Sequence, residues 1–322
     1  MGGFIIAVDL GGTQIRAALY QEDGTLVRRV SCLTHAAEGL DAVLRRIVDA
    51  IRAVFPDRVE EVEAIGVTAP GPLDPWAGIV VSAGNLPGWT NVPLKDILER
   101  ECGLPTYLGN DANVAALGEQ QFGAGQGVRN LVYITVSTGI GGGIITDGRL
   151  LLGSGGLAAE VGHQIVIPDG PRCPCGSRGC LEAVSSGTAI AAYVVERINA
   201  GAPSMLTAIA EGNLQSITAR TVNEAAQEGD ALAQEAFRRA GFYLGLGIVN
   251  LMHVLNPALF VLGGSVALHG GDLMWEPMHE AIRERTMSPS YWEHTPIVPA
   301  ALGDDVGLLG ALALVLAERG AT

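Results

Sequence analysis

The sequence predicts an α/β protein of two intimately joined domains, and three observations predict it. Glycine is abundant, at 44 of 322 residues, while aromatic residues are few at 5%. That mix suits tight turns and close backbone packing better than a β-sandwich or a disordered chain. A strand, a glycine turn and a second strand occur twice, each unit closing on Asp-Gly, at 23–24 and 147–148. After about residue 185 the apolar spacing becomes mostly helical.

Taken in order, Phe4 to Leu10 is a buried-strand run that enters Gly11-Gly12-Thr13, and Ile15 to Tyr20 leaves as a second strand. After the Glu22-Asp23-Gly24 turn, a third strand covers Leu26 to Cys32. Leu40, Val43, Leu44, Ile47, Val48 and Ile51 recur at helical spacing, so 40–54 is a helix. Val62 to Thr68 is a strand ending at Ala69-Pro70-Gly71-Pro72, and Thr106 to Leu108 runs into Asn110-Asp111-Ala112-Asn113, where a helix starts. Leu131 to Val136 enters the second turn, Ser137 to Gly143, and Ile144 to Thr146 leaves it. Helices follow at 189–199, 222–228 and 231–255, then a strand at Leu259 to Leu262 meeting Gly263-Gly264-Ser265, and an apolar final helix at Val306 to Glu318. No low-complexity segment or linker separates the halves.

Composition excludes several classes. With 34 acidic against 20 basic residues the net charge is −14, and no basic footprint for nucleic acid is visible. A phosphate site must then be local and built mostly from backbone groups. Lys95 is the only lysine and follows Leu94, so a G-x-x-x-x-G-K-[ST] loop and a protein-kinase strand lysine are both missing. The start, Met1-Gly2-Gly3-Phe4, has no basic region of a signal peptide. The longest apolar run, Leu308 to Ala317, is far below the ~18 residues of a membrane span. Five cysteines, three of them within 173–180, argue for a metal site in a reducing compartment rather than a disulfide framework. A cytoplasmic protein without nucleic-acid or membrane partners is expected.

Two glycine turns and a third glycine pair carry the phosphate argument. In Asp9-Leu10-Gly11-Gly12-Thr13 the glycines let backbone N–H groups close on an anion, Thr13 adds a hydroxyl, and Asp9 could hold Mg²⁺ directly or through water. An ordinary tight hairpin is the plain alternative. Thr138-Gly139 repeats the ambiguity, and Gly263-Gly264 after a third strand tips it toward nucleotide binding. A dinucleotide fold fails, because Gly139-x-Gly141 leads into a strand rather than the helix that must receive the pyrophosphate. His163 with Cys173, Cys175 and Cys180 makes a complete tetrahedral Zn²⁺ set, closed to water and therefore structural. Inert buried cysteines are the alternative. Cys32, Cys102 and the other five histidines show no partner pattern.

Together, Asp9-Leu10-Gly11-Gly12-Thr13, Asn110-Asp111-Ala112-Asn113, Ser137 to Gly143, Glu160-Val161-Gly162-His163 and Cys173-x-Cys175-Gly176-x-x-Gly179-Cys180-x-Glu182 resemble the ROK family (repressors, open reading frames and sugar kinases), over essentially the whole chain and most of all its bacterial glucokinases. The resemblance implies two ribonuclease-H-like α/β domains, of the actin/hexokinase/Hsp70 superfamily, with a sugar cleft between them. They are expected at 1–112 with 303–322, and at 113–302 with the zinc loop. It implies an ATP- and Mg²⁺-dependent kinase acting on the 6-hydroxyl of glucose, with Asp111 as general base. Asn85, Asn110, Glu160, His163 and Glu182 would bind the other hydroxyls. Gly11, Gly12, Thr13, Thr138 and Gly139 would hold phosphates, with Gly263 and Gly264 against the nucleoside. A homodimer is implied too. Asp111 has a plainer role available as a helix N-cap, which either it or Asn110 could fill. Another hexose, an N-acetylated amino sugar, or polyphosphate as donor fits the same motifs. A repressor would carry about 70 residues of helix-turn-helix before the first turn, and a sugar-binding protein would have little use for three phosphate turns. One departure stands out: Ala159 precedes Glu160 where the family usually has glycine.

Overall fold

The computed structural model describes residues 3–320. Met1, Gly2, Ala321 and Thr322, which belong to the expected first domain, lie outside the described residues. Contacts divide the chain into two units: one holds the residues up to Leu131, Gly143–Ala159 and the stretch from Ala300 on, the other Val132–Gly142 and Glu160–Pro299.

Unit 1 is built on β1 (Phe4–Leu10), β2 (Gln14–Gln21), β3 (Leu26–Leu33), α1 (Leu40–Val54) and β4 (Val62–Ala69). A small sheet of β5 (Leu73–Asp74), β6 (Ile79–Ser82) and β7 (Thr90–Val92) follows, then α2 (Leu94–Cys102), β8 (Thr106–Asn110) and α3 (Asp111–Phe122). The main sheet runs β3-β2-β1-β4-β8, with β1 antiparallel to β2 and parallel to β4, and β4 parallel to β8. Ile5 to Val8 are wholly buried, as a strand covered on both faces requires. The register sets Asp9 beside Thr68 and Ala69 beside Asn110. Asp9 and Asn110-Asp111 therefore emerge at one carboxyl edge of the sheet, the end where open α/β sheets hold ligands.

Three strands come next: β9 (Leu131–Val136), β10 (Ile140–Thr146) and β11 (Arg149–Leu150). The expected turn over 137–143 is shorter than the glycines indicate, because β10 already begins at Ile140. Gly142 and Gly143 are strand residues whose missing side chains admit neighbours. A Cβ on Gly142 would meet Tyr133 O at 3.0 Å, and one on Gly143 would meet Ala112 O at 2.7 Å.

Unit 2 continues with α4 (Glu182–Ser185), α5 (Gly187–Asn199), α6 (Leu206–Ile209), α7 (Ala219–Gln227) and the long α8 (Ala231–Leu255). Then come β12 (Leu259–Gly263), α9 (Ser265–His269), α10 (Asp272–Arg285), α11 (Ser290–Glu293) and β13 (Ile297–Pro299). The second sheet has the order β11-β10-β9-β12-β13. The final helix, α12 (Val306–Gly320), returns to unit 1. Its Gly310 leaves no room for a side chain beside α3, since a Cβ there would lie 2.7 Å from Val114 Cγ1. Among the described residues no helix is long and apolar enough to cross a membrane.

Candidate active site

In unit 1 the first glycine turn is a tight link closed by Gly11 N–H donating to Gln14 O at 2.9 Å. Thr34 fastens it from β3's end: its Oγ1 donates to Gly11 O at 2.7 Å, and its N–H to Thr13 O at 2.8 Å. Gly12 faces Asn85, whose Nδ2 would lie 2.8 Å from a Cβ there, so a side chain at position 12 would push Asn85 aside. Asn85 is thereby brought to the turn, and it is exposed.

Asp9 does not stand alone. Arg16, its partner across the β1–β2 register, donates to Asp9 Oδ2 through Nε at 2.9 Å and also through Nη2. A residue-by-residue motif reading misses this pair. A hairpin tightened at Gly12-Thr13 would have found it, since antiparallel pairing about that point matches residue 9 with residue 16. Asn110 caps α3, its Oδ1 accepting from Ala112 N at 3.1 Å. Asp111, the first helical residue, is exposed at the positive end of the helix.

In unit 2 the second turn closes with Ser137 N–H to Gly139 O at 2.9 Å. Thr188 Oγ1 donates to Thr138 O at 2.8 Å, which fastens it to the start of α5. Gly264, with φ 84°, occupies the left-handed region that glycine favours. A cavity of about 540 Å³ opens beside it, lined by Asn223, Phe237, Ser265, Val266 and His269 among others. The lining includes Ser265, the residue that follows Gly264.

The metal-ligand set assembles as the spacing predicts. One donor atom from each of His163, Cys173, Cys175 and Cys180 lies within 4.8 Å of all the others. Cys175 and Cys180 sulfurs are 3.7 Å apart, and Cys173 Sγ is 3.7 Å from His163 Nδ1. Tetrahedral zinc with ~2.3 Å bonds to sulfur requires S···S spacings near ~3.8 Å, so the residues fit the ion. Burial pushes the Cys173 thiol up to about 12 and also raises Cys180, while the Ser177 amide lowers Cys175. Buried thiols of this kind become thiolates when a cation takes the proton's place.

Glu160 and Glu182 flank this set. Glu160 Oε2 is 4.0 Å from His163 Nε2, on the ring edge away from the cysteines. Glu182 Oε2 accepts from Ile140 N at 2.9 Å, and its Oε1 lies 3.9 Å from Cys173 Sγ. The carboxylate therefore joins the metal loop to the second glycine turn, a link nothing in the sequence indicates.

The sequence matches the ROK family over residues 5–318, and the chain belongs to that family. It is 38% identical over 311 residues to a glucokinase of Thermotoga maritima, covering 97% of this chain and 96% of that protein. Among solved structures it is similar to a ROK hexokinase from Thermus thermophilus, with TM-score 0.85 and 35% identity over 99% of this chain and 100% of that one. It is also similar to a ROK family glucokinase from Streptomyces griseus in complex with glucose and AMPPNP, with TM-score 0.80, 36% identity and the same coverage of both chains.

Proposed function

We propose that this chain is an ATP-dependent glucokinase, moving the γ-phosphoryl group of ATP to the 6-hydroxyl of glucose. The observation that carries the reading is the sheet register, with Asp9, its phosphate-type turn and Asn110-Asp111 sharing one carboxyl edge. Full-length similarity to glucokinases supports it.

Phosphoryl transfer asks mainly for positioning and charge neutralisation. Asp111 accepts the proton of the 6-hydroxyl as O6 attacks the γ-phosphorus. The new O–P bond forms while the bond to the β,γ-bridging oxygen breaks, and ADP leaves. Asn110 caps α3, and the same Ala112 amide donates to Asp111 Oδ1 at 2.8 Å, which orients the Asp111 carboxylate at the start of the helix. Asn85, Asn110, Glu160, His163 Nε2 and Glu182 hold the remaining hydroxyls. Charge-assisted hydrogen bonds from the two glutamates are the stronger ones. Gly11, whose own N–H closes the turn, sets the backbone amides of Gly12 and Thr13 toward phosphate oxygens; Thr138 and Gly139 receive others, and Gly263 and Gly264 border the nucleoside. Mg²⁺, when bound, neutralises phosphate charge, and Asp9 is the carboxylate suited to hold it through water. His163, Cys173, Cys175 and Cys180 hold zinc, whose closed ligand set gives it a structural role. A cytoplasmic homodimer completes the reading.

The test is ADP release with MgATP against glucose, fructose, mannose and N-acetylglucosamine, with Asp111→Asn alongside. Glucose should turn over best, and the variant should lose ~10²–10⁴-fold in kcat. Preference for another sugar replaces the substrate and keeps the mechanism. Turnover with polyphosphate but not ATP replaces the donor. An Asp111→Asn enzyme as fast as the parent refutes the assignment of the base.

A further inference from the structure

The described structure contains a carboxylate with no exposure at all that the chemistry above leaves unused. Glu119, in the third turn of α3, is 0% exposed. Its oxygens accept from three backbone amides: Ala124 N at 2.8 Å, Ala301 N at 3.0 and 3.1 Å, and Leu302 N at 3.0 Å. The first belongs to the loop that ends α3. The other two belong to the stretch at which the chain returns to unit 1 before α12. A buried carboxylate needs such partners, because an unsatisfied charge there would be prohibitively costly.

The same returning stretch touches Asp9 in two ways. Arg16, which grips Asp9, donates its remaining Nη1 to Asp304 O at 2.6 Å. Two residues into α12, Gly307 sits so close that a Cβ there would lie 2.8 Å from Asp9 Oδ2. Residues 301–307 thus form a strap fastened at one end by Glu119 and bearing on Asp9 at the other. Helix α3 carries Asp111 at its first residue and Glu119 eight residues on, about 12 Å along a rigid rod.

We propose that Glu119 is a positioning residue for Asp9, acting through the 301–307 strap, and that it sets the affinity for the magnesium nucleotide rather than for the sugar. The proposal rests on the reading of Asp9 as the nucleotide-side carboxylate. Loosening the latch lets Asp304 O and Gly307 shift, and Arg16 and Asp9 shift with them. Asn110 and Asp111 lie about two turns along α3 from Glu119, at the far end of the rod from the latch.

The experiment measures equilibrium binding of MgAMPPNP and of glucose by calorimetry, together with KM for each substrate. Glu119→Gln should weaken MgAMPPNP binding about tenfold and raise KM for MgATP alike, with glucose binding unchanged within about twofold. Gly307→Ala, which leaves Glu119 intact, should do the same. Adding Glu119→Gln to Asp9→Asn should cost nothing beyond Asp9→Asn alone, the mark of one linked unit. Should Glu119→Gln fail to fold, Glu119→Asp, which keeps the charge and withdraws it by one methylene, takes its place. Variants that lose only thermal stability while binding both ligands as the parent does would overturn the proposal. An Asp9→Asn protein that binds MgAMPPNP normally would instead overturn the reading of Asp9, and the proposal with it.

Discussion

Ala159 has φ 69°, in the left-handed region where a Cβ crowds the following carbonyl and glycine is at ease. The departure visible in the sequence is therefore a strained backbone position immediately before Glu160. Ala159→Gly should relieve ~1–2 kcal/mol of strain and return part of it as unfolded-chain entropy, a net gain of about 0.5 kcal/mol by denaturant titration. A loss of stability would show that the neighbours of Ala159 hold it by packing. The thiols make a second case. Cys173 is raised from 9.0 to about 12 by burial, so the metal-free fold keeps a proton that the unfolded chain gives up. Stability of chelator-treated protein should fall as pH climbs from 9 toward 12, and zinc-loaded protein should resist the fall, as thermal melts with and without chelator would reveal. The metal ligands were legible because three of the four lie within eight residues, where loop geometry leaves little choice. The links that Glu182 makes were not legible, because they depend on folded distances rather than on spacing.

Helices with clear periodicity carried their own boundaries. α1 and α8 occupy 40–54 and 231–255 as their apolar spacing predicts. The three short strands β5–β7, two to four residues each, sit among prolines and glycines and offer no period to read. Helix α10 was missed as well: Pro277 lies inside it, and its packing against α8 is a long-range contact that local reasoning does not see. The start of α8 depends on Asp230. Burial would raise this carboxyl, but the amides of Ala233 and Met205 and the Ser204 hydroxyl outweigh burial and leave it lowered. Its contribution is present above the ordinary carboxylate range and disappears as pH falls through the lowered value. Asp230→Ala should cost about 2 kcal/mol at neutral pH, and the gap to the parent should close in acid, as urea unfolding across pH would measure.

At the scale of the molecule the architecture was legible as two α/β halves with repeated glycine turns, and the contact division shows how the chain is shared between them. It passes from one unit to the other at 131/132, 142/143, 159/160 and 299/300. Which side a given helix packs on is decided by surfaces far apart in sequence, such as the meeting of Gly310 with Val114. The returning helix α12 buries Leu308, Leu312, Leu314 and Val315. A chain stopped after Pro299 should therefore leave unit 1 with an uncovered sheet face and fail to show a cooperative melt or protease resistance. The same arrangement has a consequence for biosynthesis. Strand β1 leaves the ribosome long before the helix that shields it, because almost all of the two units lies between Leu10 and Val306. Unit 1 must wait, half clothed, while everything between them is made, a long interval in which chaperones and neighbouring nascent chains compete for its bare apolar face.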